Sequence, residues 1–326
     1  MAAGDSAGVD VLVDRARAGD ARSVAKLISL VEDASPLLRE AMSALMPYSG
    51  RATVIGLTGA PGVGKSTTTS ALVSAFRALG RRVGVLAVDP SSPFSGGALL
   101  GDRIRMQEHS LDPDVYIRSM ASRGHLGGLS WSTPQALRVL DAAGCDVVLV
   151  ETVGVGQSEV EVAGLADTTV VLLAPGMGDA IQAAKAGILE VGDIYVVNKA
   201  DRDGADSAVR ELRHMLTLGE RRGPGEWRPP ILKTVASRGE GLAEVVAALE
   251  EHRGWLEETG QAHVRRVRRA ADEVEAIAVT ALRARMGDLH STSGPGGLDE
   301  LAADVVAGRT DPYSAADRLV DGLTAG

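Results

Sequence analysis

The sequence predicts an α/β fold, a P-loop NTPase with a mostly parallel central sheet flanked by helices, with helical extensions at both ends. Three observations predict it. Short β-branched runs alternate with helix-length segments from residue 53 to 236. A glycine-rich pattern stands where the first run meets the first of those helices. Strand signals are missing from the first fifty residues and stop again after about residue 254.

At the N-terminal end, Val24, Leu27, Ile28 and Val31 fall at i, i+3, i+4 and i+7, and Leu37, Leu38, Ala41 and Leu45 continue the pattern beyond Pro36. Residues 1–50 are therefore expected to form a helical extension. TVIGLTG, a helix from about Ser66 to Leu79, and RVGVLAVD then make a strand, helix, strand unit. DVVLVE (146–151), TTVVLLA (168–174), DIYVVN (193–198) and ILKTVA (231–236) supply further strands, each bounded by Gly, Pro or Asp. Their near-continuous apolar character is that of a parallel sheet covered on both faces, and it places the central domain at 51–254. Residues 255–326 read as a helical arm. Along it Val264, Val267, Ala271, Val274, Ala278 and Ala281 alternate three and four apart, a seam that either packs on its own domain or pairs two copies of the chain. Loops are expected at 218–230 and 291–297.

Composition narrows the function. The 326 residues are 45% hydrophobic and 24% charged, with a formal charge of −9, so there is no overall basic field to gather nucleic acid or anionic lipid. No apolar run approaches the roughly 18 residues of a membrane span. A lone cysteine, Cys145, and an N-terminus without a basic-then-apolar leader lead to the expectation of a cytoplasmic setting. The six histidines form no HExxH pattern, and Trp131, Trp227 and Trp255 are scattered too widely along the chain to suggest a base-stacking platform.

Gly59-Ala60-Pro61-Gly62-Val63-Gly64-Lys65-Ser66 fits GxxxxGK[ST] after a strand and at the opening of a helix. Glycines let backbone N–H groups curl around phosphate oxygens, and the helix N-terminus adds partial positive charge. Lys65 is expected on the β- and γ-phosphates, the Ser66 hydroxyl on Mg²⁺, and Thr67 beside them in the first turn. A second carboxylate near the metal is offered at two strand ends, Asp89 in VLAVDP and Glu151 in DVVLVETVGVGQ. Gly154, three residues after Glu151, stands where a DxxG switch presents its N–H to the γ-phosphate.

Asn198-Lys199-Ala200-Asp201 closes DIYVVN in an NKxD pattern. A carboxylate at Asp201 accepts from guanine N1–H and its exocyclic amino group, donors that adenine lacks, so GTP and GDP are expected rather than ATP. Asn198 is expected at the other edge of the base and the Lys199 stem along its face.

VGVLAVDPSSPFSGGALLGDRIRM, SMASRGHLGGLS, VETVGVGQSEVEV and NKAD together resemble the methylmalonyl-CoA mutase-associated GTPases, also called the ArgK type. The resemblance runs from roughly residue 20 to 320. It implies a GTP hydrolase of the class that includes signal-recognition-particle and nickel-insertion GTPases, in which the strand ending in Asp89 lies beside the P-loop strand. It implies that Asp89 stands near the attacking water or Mg²⁺, and that Asp102 and Glu151 are the carboxylates of two switches. Gln182 and Lys185, in PGMGDAIQAAKAGILE, match a third switch coupled to the mutase, and Ser237, Arg238 and Gly239 match the loop over guanine. The implied role is a chaperone that gates cofactor loading of a cobalamin-dependent acyl-CoA mutase, methylmalonyl-CoA mutase, or protects it from inactivation, with the protein a homodimer and cobalamin on the partner. The older family name implies an alternative, a kinase acting on a periplasmic amino-acid-binding protein of arginine and ornithine transport. Arg103 and Arg105 are loop arginines with no assigned finger role, Gln157 is not at the spacing of a water-positioning glutamine, and His125 lies in a motif-like loop.

Overall fold

Thr53–Thr58 (β1), Val83–Pro90 (β2), Val115–Ser122 (β3), Val147–Thr152 (β4), Thr168–Leu173 (β5), Ile194–Val197 (β6) and Ile231–Lys233 (β7) form one sheet in the order β3-β2-β4-β1-β5-β6-β7. Every pairing is parallel. The computed structural model describes residues 3–90, 107–109, 111–122, 132–152, 158–176, 190–218, 223, 225–291 and 297–324. All six strands expected from the sequence are present, and β3 is an addition. β3 lies on the edge and pairs only with β2; its run mixes Tyr116, Ile117 and Met120 with Arg118 and Ser119, so it lacks the apolar continuity of the central strands.

The implied neighbourhood of β2 is corrected by the register. β4 pairs with β1 through Thr53↔Val147 and with β2 through Val83↔Val147, so it fills the slot between them. Glu151, opposite Leu57, is therefore the carboxylate on the strand next to the P-loop strand, and Asp89 stands one strand further out, level with Ala121 of β3.

Among the described residues the helices are Ala3–Arg17 (α1), Ala21–Glu32 (α2), Leu38–Leu45 (α3), Lys65–Ala78 (α4), Thr133–Ala142 (α5), Ser158–Leu165 (α6), Ala205–Leu218 (α7), Leu242–Glu258 (α8), Gln261–Ser291 (α9), Leu298–Val306 (α10) and Pro312–Thr324 (α11). Side chains alternate between faces along each strand. Val148 and Val150 of β4 enter a cluster with Val24, Leu27, Ile28 and Val31 of α2 and Leu137 and Leu140 of α5. Val147 and Leu149 enter another with Leu72 and Phe76 of α4 and Val245 and Leu249 of α8. Each such buried side chain contributes about 1.5–3 kcal/mol, which is why a strand covered on both faces needs no polar residue until its end. Asp20 caps α2: its carboxylate accepts from the Arg22 N–H at 3.4 Å and from the Ser23 hydroxyl at 2.6 Å, and the latter bond chiefly holds it below the ordinary carboxylate range.

The chain divides into two compact units, residues 1–266 and 267–326. In the second, Leu301 of α10 packs with Ala315 and Leu319 of α11. Val264, Val267 and Val274 on the α9 seam are 56%, 53% and 66% exposed.

At the edge of the sheet where the strands begin, His252 of α8 is wholly buried, its Nδ1 2.8 Å from the Thr168 hydroxyl. Trp227 and Trp255, distant in sequence, meet here with ring centroids 5.9 Å apart, each packed on His252. Asp193 accepts from Arg265 Nη1 and Nη2 at 2.9 and 2.8 Å and from the Thr169 N–H at 2.9 Å. Burial pushes the His252 imidazole down to about 4; Asp193 opposes the shift and Arg265 adds to it. A neutral buried histidine costs nothing above the unfolded value of 6.5. As pH falls from 6.5 to about 4 only the unfolded chain takes up the proton, so stability drops by up to about 3 kcal/mol across that window and levels off below it. Chemical denaturation at stepped pH should show this slope, and His252→Asn should flatten it; an unchanged slope in the variant would place the titrating group elsewhere.

Candidate nucleotide-binding site

Residues 59–64 of the phosphate-loop pattern lie between the C-terminal end of β1 and α4, and Lys65 and Ser66 open α4. Two of the pattern's glycines are demanded by close approach. Gly59 has φ +143° and a Cβ there would lie 2.3 Å from the Leu172 carbonyl oxygen of β5; Gly64 has φ +95° and a Cβ would lie 2.5 Å from Asn198 Nδ2. The loop is thus pressed against two neighbouring segments, which leaves no room for a side chain at either point. Lys65 is buried, and its Nζ donates to the loop's own carbonyls, Gly59 at 2.6 Å and Ala60 at 3.2 Å.

Beneath the loop, Glu151 at the end of β4 is 1% exposed. Ser66 Oγ donates to its Oε1 at 2.6 Å and Thr69 Oγ1 to its Oε2 at 2.8 Å. Ser66 and Thr69 are three apart on one face of α4, so a single carboxylate spans both hydroxyls. Thr69 is a site residue that sequence reasoning missed; the hydroxyl run after Lys65 was its only signal. A hydroxyl oxygen and a buried carboxylate side by side form a hard oxygen donor set, and these residues fit a divalent cation such as Mg²⁺.

The end of β6 is tied to the phosphate loop. Asn198, 3% exposed, donates from Nδ2 to the Val63 carbonyl at 2.9 Å, while its Oδ1 accepts from the Thr234 hydroxyl and the Ala236 N–H, both at 3.1 Å. One amide thereby joins the phosphate loop, β6 and the segment after β7, and Thr234 is the second residue that the sequence did not single out. Lys199 adopts φ +57°, and its Nζ donates to the Gly62 carbonyl at 2.6 Å, laying its stem across the same gap. Asp201 is exposed, with Arg238 Nη2 3.4 Å from its Oδ2; Arg238 Nε also lies 3.0 Å from Glu240. Ser237 and Gly239 line a cavity shared with Thr67.

The structure therefore brings Gly59–Ser66, Thr67, Glu151, Asn198, Lys199, Asp201, Ser237, Arg238 and Gly239 to the edge of the sheet where the strands end, the edge at which open α/β sheets bind ligands. Asp89 ends β2 at that same edge. Asp102, Gly154, Gln182 and Lys185 lie outside the described residues, as do Arg103, Arg105, Gln157, His125 and Trp131.

A Pyrococcus abyssi protein named as a GTPase is 46% identical over 319 residues, covering 98% of each chain. The GTPase ArgK of Escherichia coli is 40% identical over 256 residues, covering 76% of this chain and 77% of its own. A crystal structure described as an LAO/AO transport system kinase superposes with a TM-score of 0.70 at 28% identity, covering 99% of both chains. The family described as Methylmalonyl Co-A mutase-associated GTPase MeaB matches residues 24–290, and the chain belongs to that family of P-loop GTPases.

Proposed function

We propose that this GTPase binds GTP and GDP in the site just described and acts, in the cytoplasm, as a chaperone for a cobalamin-dependent acyl-CoA mutase, gating cofactor loading or protecting the mutase from inactivation. The observation that carries the nucleotide assignment is the Asn198 amide, which ties the phosphate loop to the segment bearing Asp201 and so fixes the distance between phosphate and base sites. The family's name, with its mutase association, supports the client.

In this reading Lys65 leaves the Gly59 and Ala60 carbonyls for β- and γ-phosphate oxygens, a charge-assisted exchange of neutral acceptors for anionic ones. Ser66 and Glu151 would hold Mg²⁺, with Asp89 and Asp102 as further candidate ligands, and the cation would neutralise phosphate charge. Asp201 exchanges Arg238 for the two guanine donors, Lys199 covers the base, and Ser237, Arg238 and Gly239 close over it. Gly154 is proposed to present its N–H to the γ-phosphate, and Gln182 and Lys185 to couple the nucleotide state to the partner. Hydrolysis is slow alone and rises when the mutase orders the switches. The exposed α9 seam supports a homodimer.

GTP turnover by the purified chain, alone and with the methylmalonyl-CoA mutase of the same organism, tests the client. Stimulation of at least about tenfold is expected, a conservative floor beside the roughly 10³–10⁵-fold that a partner's stabilising groups give other GTPases; turnover identical with and without the mutase would remove it as client while leaving the GTPase intact. The likeness to the transport-kinase structure favours a second reading, transfer of the γ-phosphate to a periplasmic amino-acid-binding protein. Label from γ-phosphate appearing on such a protein rather than as free phosphate would establish that alternative.

A further inference from the structure

A cavity of about 610 Å³ opens between α4 and the 236–239 segment. Thr67, Ser70 and Ser74 of α4 form one wall, Ser237 and Gly239 the other, and Glu108 reaches into the lining from the short turn Gln107–His109. Ser70, one helical turn beyond Ser66, holds that turn. Its hydroxyl donates to Glu108 Oε1 and lies 2.9 Å from His109 Nε2, which is also 3.1 Å from the Ser70 carbonyl. His109 is buried, whereas the Glu108 side chain is 66% exposed and has no basic neighbour within ion-pair distance other than His109, at 3.6 Å, among the described residues.

We propose that Glu108 accepts hydrogen bonds from the ribose hydroxyls of the bound guanine nucleotide and makes the site selective for ribonucleotides. The inference rests on the GTP site proposed above. With phosphates on Gly62–Ser66 and a base between Asp201 and the 236–239 segment, the sugar would sit beside the first turn of α4, where the cavity opens between Thr67 and Ser237. A vicinal diol presents two O–H donors, and an ionised carboxylate is acceptor-only, so the two are complementary. Dinucleotide-binding folds place an acidic residue on a ribose hydroxyl for the same reason. Anchoring by Ser70 keeps the carboxylate a full turn away from the phosphates, where its charge would repel them.

The test is isothermal titration of the full chain with GDP and with 2′,3′-dideoxy-GDP. The unmodified protein should favour GDP by about tenfold or more. Glu108→Ala should bring the two affinities to within about threefold by weakening GDP alone, and Glu108→Gln, which keeps the reach and one neutral acceptor, should give an intermediate ratio. A purely structural role for Glu108 would weaken both nucleotides equally and leave the ratio unchanged, which would overturn the proposal. So would an unmodified protein that does not distinguish them. Failure of the unmodified protein to bind either would instead overturn the nucleotide site itself.

Discussion

Lys65→Ala is expected to lower GTP turnover by about 100-fold or more, because it removes the buried ammonium that donates to the Gly59 and Ala60 carbonyls of the phosphate loop. Turnover should fall further than affinity does. Backbone N–H groups of the loop and the base contacts remain to hold nucleotide, whereas the charge that builds on the transferring phosphoryl group loses its nearest cation. The variant also leaves the Gly59 and Ala60 carbonyls without this donor, so circular dichroism and a melting curve belong beside the kinetics. A folded variant with unaltered turnover would show that Lys65 is only a loop staple, which its present bonds would equally describe.

Asp201→Asn should weaken GTP by about 100-fold, the loss of two charge-assisted hydrogen bonds worth about 1.5 kcal/mol or more each. It should also raise affinity for xanthosine triphosphate, whose additional carbonyl an amide can serve as donor and a carboxylate cannot. Arg238 gives a second reason to expect a change of selectivity, since its pairing with Asp201 at 3.4 Å is lost to any neutral side chain and freed for Glu240, 3.0 Å away. Competition titration with GTP, ATP and xanthosine triphosphate checks both halves. GTP affinity within twofold of the unmodified protein would remove Asp201 from the base site.

What could be read from the chain was what is contiguous in it. The phosphate-loop pattern is eight consecutive residues, six between a strand and a helix and two opening the helix, and each buried strand announces itself by its own apolar run. Long-range ties could not be read. Asn198 looks like a base-contacting residue because its tetrapeptide does, yet its amide is engaged by a carbonyl 135 positions earlier and by a hydroxyl and an N–H some 36–38 positions later. Thr69 looks like one more hydroxyl in a helix until β4 brings Glu151 beneath it. The place of β4 between β1 and β2 follows from which strand fills the gap left by the first crossover, a choice among topologies that no single segment encodes. β3 escaped notice because an edge strand in a parallel sheet tolerates Arg118 and Ser119, and Trp227 and Trp255 meet only because α8 and the segment before β7 converge on His252. Ser70 and Glu108 were invisible for the same reason, being 38 positions apart.

The tied phosphate loop and base segment are proposed to make a guanine-specific hydrolase. Steady-state release of inorganic phosphate from GTP and, in parallel, from ATP tests it most directly. The expected result is slow GTP turnover, below about one per second without a partner, with ATP hydrolysed at least about 100-fold less efficiently, because adenine offers Asp201 neither of the donors that guanine does. Equal turnover of the two nucleotides would contradict the role of Asp201 and with it the base site.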